Sequence, residues 1–354
     1  MKTNVKGEDY SAKERILVFE VNWLGDVLFS TPAIRAIRKK HPGAYVAALV
    51  VPRCREVLFG NNYLDEVMVF DEKGKHRGLK GKIRLIRDLR ARHFTISYLF
   101  KSSLSRTLYI FLSGIKKRIG YGKRRGDFFL TERVMLPETQ LHRSDAYYYL
   151  VAKDKIPEGE RRYDFFVSNE DKAFIESMLK KHHLSEGRQF VALHVGGNWD
   201  LKRWPQAHFA KLIDTIKTSY GADVVITGSF LDHPLAKEIA GLTQTKPFVA
   251  CGMTTLKQLG ALFQRSDLVI SADSGPLHIA MAMQANTVAL FGPTLPEITG
   301  PIGAGNFSVL RNKEIPCAVP CYNLECKDNI CMSSLTVEQV IEEVEKRGWL
   351  KKAV

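Results

Sequence analysis

Short runs of β-branched and aromatic residues alternate along this chain with segments whose apolar positions recur every three to four residues. In the first half "RILVFEV", "YVAALVV", "EVMVF" and "FTISYLF" read as strands, and the spacing predicts helices near 27–40, 80–91 and 102–113. The second half repeats the plan. "QFVALHV", "ADVVITG", "PFVAC", "DLVISAD" and "TVALFG" read as strands, with helices predicted near 205–219, 232–241, 255–264 and 275–284. Strands that are apolar along their whole length are those buried on both faces. Strands alternating with helices build parallel sheets through right-handed crossovers. The expected class is therefore α/β, with two Rossmann-like doubly wound lobes.

Pro, Gly and charged residues cluster in "KDKIPEGERRYDFFVSNEDKA", which sets the expected boundaries: a first lobe over 1–165 and a second over 166–335. The amphipathic "TVEQVIEEVEKRGWL" predicts a C-terminal helix within 336–354, expected to pack back toward the first lobe. A chain of 354 residues exceeds what one hydrophobic core usually holds, in keeping with two domains. The polar start "MKTNVKGEDYSAKER" has no signal-peptide core, and "AYVAALVV" is too short to span a bilayer, so a cytoplasmic protein is expected.

Charge adds an asymmetry. The net charge is +14, and residues 1–165 hold 33 Lys and Arg against 19 Asp and Glu, whereas the remainder holds 19 of each. The whole excess lies in the first half, which points to an anionic partner there: nucleic acid, an anionic membrane surface or a phosphorylated substrate. No RNA- or DNA-binding signature accompanies it.

Three strand–helix junctions carry candidate chemistry. In "VNWLGDVLFSTPAIRAI" the first strand ends, Gly25 is expected to turn the chain, and Asp26 opens a helix. Asp26 there fits an N-terminal capping role, favoured by the helix dipole, and equally a ligand-facing carboxylate beyond a strand end. No G-x-G-x-x-G follows, which removes the main support for a nicotinamide site. In "SADSGPLHIAMAM" Asp273 and Ser274 end a strand, Gly275 allows close approach, and Pro276 starts a helix whose first turn carries His278; free N–H groups there suit a diphosphate. In "HVGGNWDLKRWPQAHFAKL" a Gly196–Gly197 loop is followed by Lys202 and a helix start, again a phosphate-binding combination. A fourth cluster, Cys317, Cys321, Cys326 and Cys331, has a spacing compatible with reduced structural thiols, a bound metal or disulfides.

Together "GDVLFSTPAIRAI", "KRIGYGKRR", "KRWPQAHFAKL", "VVITGS", "DSGPLHIAMAM" and "VALFGPT" resemble glycosyltransferase family 9, the ADP-heptose:lipopolysaccharide heptosyltransferases, over roughly residues 15–347. The resemblance implies a GT-B fold, two lobes facing across a cleft, with acceptor on the first lobe and nucleotide-sugar on the second. It implies an inverting transfer of heptose from ADP-heptose onto a Kdo or heptose of the lipopolysaccharide inner core. It implies no cofactor and no metal, and no Asp-x-Asp pair occurs in the chain.

By that resemblance Asp26 is the general base. Lys202 contacts the donor diphosphate, and Asp273, Ser274, Gly275, Leu277 and His278 form the loop around phosphate and sugar. Gly197 and Asn198 fall where some members carry hydroxyl residues toward the phosphate, and Thr254 is assigned beside the adenine. The implied acceptor is an anionic lipid A core at the cytoplasmic face of the inner membrane. Arg53, Arg55, Arg118, Lys123, Arg124 and Arg125 are the residues expected to meet it, with peripheral contact to the anionic leaflet and no nucleic acid. Another nucleotide-sugar, a basic nucleic-acid-binding protein and a nonenzymatic nucleotide sensor are the competing readings.

Overall fold

A computed structural model describes residues 14–122, 127–184, 187–197, 199–303, 305–323 and 325–353. The chain divides into two units, Met1–Phe166 and Val167–Val354.

In the first unit β1 (Arg15–Phe19), α1 (Leu24–Lys40), β2 (Tyr45–Val50), β3 (Glu66–Val69), α2 (Gly78–Ala91), β4 (Ile96–Leu99), α3 (Leu104–Leu112), β5 (Lys117–Tyr121), β6 (Glu132–Val134) and α4 (Arg143–Ala152) follow in order. The six strands form one parallel sheet in the order β3-β2-β1-β4-β5-β6. β1 is buried along its whole length, as a central strand covered on both faces must be. Leu17, Phe19, Ala47, Leu49, Phe70, Leu85, Leu89, Leu99 and Ile110 make one core cluster. β5 and β6 escaped the strand reading because "KRIGY" and "ERV" are charged segments toward the sheet edge. α4 escaped it because "RSDAYYYLVA" has no clear apolar stripe.

α1 runs through Pro32 without breaking. Proline leaves the carbonyl of Leu28 without its usual N–H partner, and the Thr31 hydroxyl donates to that carbonyl at 2.7 Å. The buried Arg35 guanidinium, further along α1, donates to the Asp164 carboxylate at 2.6 Å and to the Glu160 carbonyl, tying the end of the unit onto this helix.

The second unit comprises α5 (Asn169–Lys181), β7 (Phe190–His194), α6 (Gln206–Tyr220), β8 (Asp223–Thr227), α7 (His233–Leu242), β9 (Phe248–Val249), α8 (Leu256–Arg265), β10 (Leu268–Ala272), α9 (Gly275–Ala282), β11 (Thr287–Leu290), α10 (Pro296–Thr299), β12 (Phe307–Leu310), α11 (Ile330–Ser333) and α12 (Val337–Arg347). Its parallel sheet has the order β12-β11-β10-β7-β8-β9. Counted from its own first strand, that is the arrangement of the first unit: the first and fourth strands lie side by side at the centre. α12 is the C-terminal helix expected within 336–354. Val337, Val340 and Val344 are buried in the second unit's core with Leu212, Ile213 and Ile216, and the indole of Trp204 donates to the Leu335 carbonyl at 2.8 Å. Its apolar stripe matches that core.

Among the described residues no helix is long and apolar enough to cross a membrane.

Candidate functional site

In a doubly wound parallel sheet the strand order reverses between its first and fourth strands, and ligands bind beyond the carboxyl ends of those strands. The two reversal points are β1/β4 in the first unit and β7/β10 in the second. Asp26 follows β1. Lys202 follows β7 and Asp273 follows β10.

At the first point the helix starts earlier than the pattern predicted. Trp23 is the N-cap, Gly25 is the second residue of α1 rather than part of a turn, and Asp26 is the third, half-buried in the opening turn. Trp23 stands out into solvent, 51% exposed, with the Arg53 guanidinium 4.1 Å from its ring centroid; Arg53 also donates to the Asn22 carbonyl at 2.8 Å. The structure thus brings Arg53 to the segment that leads into Asp26. Arg55 instead lies over the Phe59 ring.

Two charged residues at this point were missed in the sequence. Glu20, the residue after β1, is fully buried, and its carboxyl meets the Ser30 hydroxyl at 3.0 Å and the Val21 N–H at 3.3 Å. Asp26 and Ser30 are four apart on α1 and so share one face, which puts Asp26 one turn from that contact. Burial pushes the Glu20 carboxyl up to about 8; the hydrogen bonds and Arg106 oppose the shift, and the charge of Asp26 adds to it. Arg106 comes from α3, the helix after β4, and is buried. It donates to the Glu20 carbonyl at 2.7 Å and to the Asn22 side chain, with Phe19 under its guanidinium. Adjacent first and fourth strands are what allow α3 to brace the loop before Asp26. The sequence hid both: Glu20 reads as the tail of a strand, and Arg106 as the wet side of an amphipathic helix.

At the second point the predicted residues converge. The Lys202 ammonium donates to Asp273 Oδ2 at 2.6 Å, and the Thr294 hydroxyl donates to the same oxygen at 2.7 Å. His278 Nε2 lies 3.7 Å from the other carboxylate oxygen. Burial raises the proton affinity of Asp273, but the hydrogen bond from His278 and the charges of Lys202 and His278 outweigh it, so this carboxyl is held well below its usual range. Ser274 is the N-cap of α9 without using its hydroxyl as a cap; that hydroxyl lies 3.2 Å from Ser271 Oγ. Gly275, Pro276 and Leu277 form the first turn, with N–H groups on all but the proline. Gly197 has open space where a side chain would begin, and its carbonyl accepts from Arg203 at 3.0 Å.

Thr254 lies in the loop after the edge strand β9, just before the Thr255 cap of α8. Arg118 donates to the carbonyls of Phe129, Ile115 and Lys116 at 2.5, 2.6 and 3.0 Å. Lys123, Arg124, Arg125 and Asn198 lie outside the described residues. Cys317, Cys321, Cys326 and Cys331 are free thiols, and among the described residues no group of His, Cys, Asp and Glu is arranged to hold a metal ion.

A profile of glycosyltransferase family 9 (heptosyltransferase) matches residues 82–327. Lipopolysaccharide heptosyltransferase 2 of Escherichia coli K12 is 26% identical over 302 residues, covering 81% of this chain and 85% of that protein. The crystal structure of a family 9 glycosyltransferase from Veillonella parvula superposes with a TM-score of 0.83 at 24% identity, covering 94% of this chain and 97% of that one. The E. coli ADP-heptose lipopolysaccharide heptosyltransferase II structure gives a TM-score of 0.76, also at 24% identity, over 94% and 98% of the two chains. The α/β GT-B fold expected from the sequence is the fold of these structures.

Proposed function

Because this chain belongs to glycosyltransferase family 9 and is a heptosyltransferase, we propose that it moves a heptose from ADP-heptose onto a Kdo or heptose hydroxyl of the lipopolysaccharide inner core, with inversion and without a metal. Relatives named lipopolysaccharide heptosyltransferase support the donor and acceptor class. The observation that carries the reading is the Lys202–Asp273 pair beside the first turn of α9, at the reversal point of a doubly wound sheet.

The donor's diphosphate accepts hydrogen bonds from the N–H groups of Gly275, Leu277 and His278, in the positive end of the α9 dipole. Lys202, held by Asp273, supplies a full positive charge where the departing ADP gains negative charge. Groups oriented before the reaction act more strongly than solvent would, because they need not reorganise. Ser274 and Gly197 line the same mouth, and Thr254 is assigned to the adenine. Asp273 therefore acts through Lys202 and His278. Asp26 takes the proton from the attacking acceptor hydroxyl as the new bond to the sugar's anomeric carbon forms. A helix start favours the charged form of a carboxylate and so weakens it as a base, and Asp26 therefore serves late, as the hydroxyl becomes acidic through bond formation.

Arg53 and Arg55, with Lys123, Arg124 and Arg125, are proposed to meet the anionic acceptor, and the enzyme to work peripherally at the cytoplasmic face of the inner membrane. Incubation with ADP-heptose, UDP-sugars and GDP-sugars, each with a Kdo-bearing acceptor, tests the reading. Transfer from ADP-heptose alone, unaffected by a chelator and giving the opposite anomer, is expected. Preferred use of a UDP- or GDP-sugar would overturn the donor assignment.

A further inference from the structure

Helix α3 is turned inside out. Its inner face carries Arg106, Thr107 and Ile110, whereas Leu104, Leu108, Phe111 and Leu112 follow the i, i+4, i+7, i+8 stripe that normally faces a core. Of these four only Leu108 is half-buried; Leu104, Phe111 and Leu112 are exposed.

Exposed apolar residues also stand on the elements to either side. Phe111 packs on Phe129 with ring centroids 5.2 Å apart, and Phe128 beside it is 81% exposed. On the other flank α2 meets α3 through Lys82, 5.4 Å from the Tyr109 ring, and through Arg90, which donates to the Leu112 carbonyl at 2.6 Å. Leu79 of α2 is 77% exposed, and Ile83 is exposed one turn on. Single exposed apolar residues need no explanation, but several together on neighbouring elements mark a surface that is covered in use.

The rim says by what. Lys80, Arg84, Arg87 and Arg90 of α2 are exposed, as are Lys116 and Lys117 after α3. The one acid of α2, Asp88, pairs with Lys75 at 3.3 Å, and Lys117 lies 3.7 Å from Glu132. A second copy of this chain would bring like charges together. A soluble phosphorylated sugar would use the cations but not the leucines and phenylalanines. Leucine and aromatic side chains above a basic rim fit one chemistry, the interface of a bilayer containing anionic lipid.

We propose that the outer face of α2 and α3, with Phe128, docks this enzyme on an anionic lipid surface through Leu79, Leu104, Phe111, Leu112 and their basic rim. This deepens the reading above, since a lipid-borne acceptor would be met at that surface.

The test is flotation of the full chain, without substrate, on vesicles of phosphatidylglycerol and phosphatidylethanolamine, and on phosphatidylcholine alone. The wild type is expected to float with the anionic vesicles and not with the neutral ones. Leu104→Ser/Phe128→Ser is expected to weaken binding about tenfold or more, and Arg84→Gln/Arg87→Gln to weaken it most at low salt. Both should keep the wild-type melting temperature and its transfer to a delipidated acceptor. Wild type that stays with neither vesicle, variants that float like wild type, or a dimer that the variants dissociate would each overturn the proposal. Vesicle binding needs no turnover, so loss of the heptosyl-transfer reading shows up separately, as absent product with the delipidated acceptor.

Discussion

Lys202 holds its ammonium 2.6 Å from a carboxylate of Asp273 that is only 5% exposed. Two residues 71 positions apart thus arrive as one unit, an anchored cation beside the start of α9. Lys202→Met removes the charge but leaves Asp273 its threonine and histidine partners, so ADP affinity should fall about tenfold or more, with little loss of fold. Asp273→Asn removes the negative charge that Lys202 and His278 share and turns one acceptor oxygen into a donor, and should lower stability by about 1–3 kcal/mol as well as affinity. ADP titration and thermal unfolding of the two variants separate the effects.

Asp26→Asn keeps the size of the side chain and removes its basicity. Transfer should drop by about 10²–10⁴, the range for loss of a general base, while ADP affinity stays within a factor of two or so. Product formation against ADP binding on the same preparation reads this directly. Near-normal turnover would end the base assignment.

Glu20 offers a pH signature. Its folded value near 8 lies above the ordinary 4.5, so the folded chain keeps a proton that the unfolded chain releases. The stability this gives is full below about 4.5 and is lost as pH rises through about 8. Glu20→Gln, locked neutral, should therefore gain on the wild type by up to about 1.4 kcal/mol per pH unit across that window. Denaturant unfolding at several pH values checks it. A constant difference would mean the carboxyl is already ionised in the fold.

Arg106 holds the Glu20 carbonyl and the Asn22 side chain from a neighbouring strand's helix. Arg106→Leu should free that loop and cost about 10²-fold in transfer, since small misplacements of a reacting group are expensive. Arg106→Lys reaches only one of the two partners and should recover part of the rate. The effect is expected in kcat, with donor KM little changed.

What could be seen beforehand followed from where the signals are strong. The central strands are apolar throughout, so they stood out, and Lys202, Asp273 and His278, which follow strand ends near glycines, are brought together by the fold. β5, β6 and β12 lie toward the sheet edges, and a half-wet strand keeps too little apolar pattern to stand out. Glu20 and Arg106 were invisible for a different reason. A charge in a strand or helix ordinarily means solvent, and only the adjacency of β1 and β4 turns these two inward.

Each sheet carries its own cluster of buried side chains, one built on Leu17, Phe19 and Leu49, the other on Val191, Leu193 and Ile270. Calorimetry on such a chain should resolve a pair of endotherms, so that no lone midpoint describes its melting. Added ADP would then shift upward the endotherm belonging to Val167–Val354, a mass-action marker that tells which half has unfolded first.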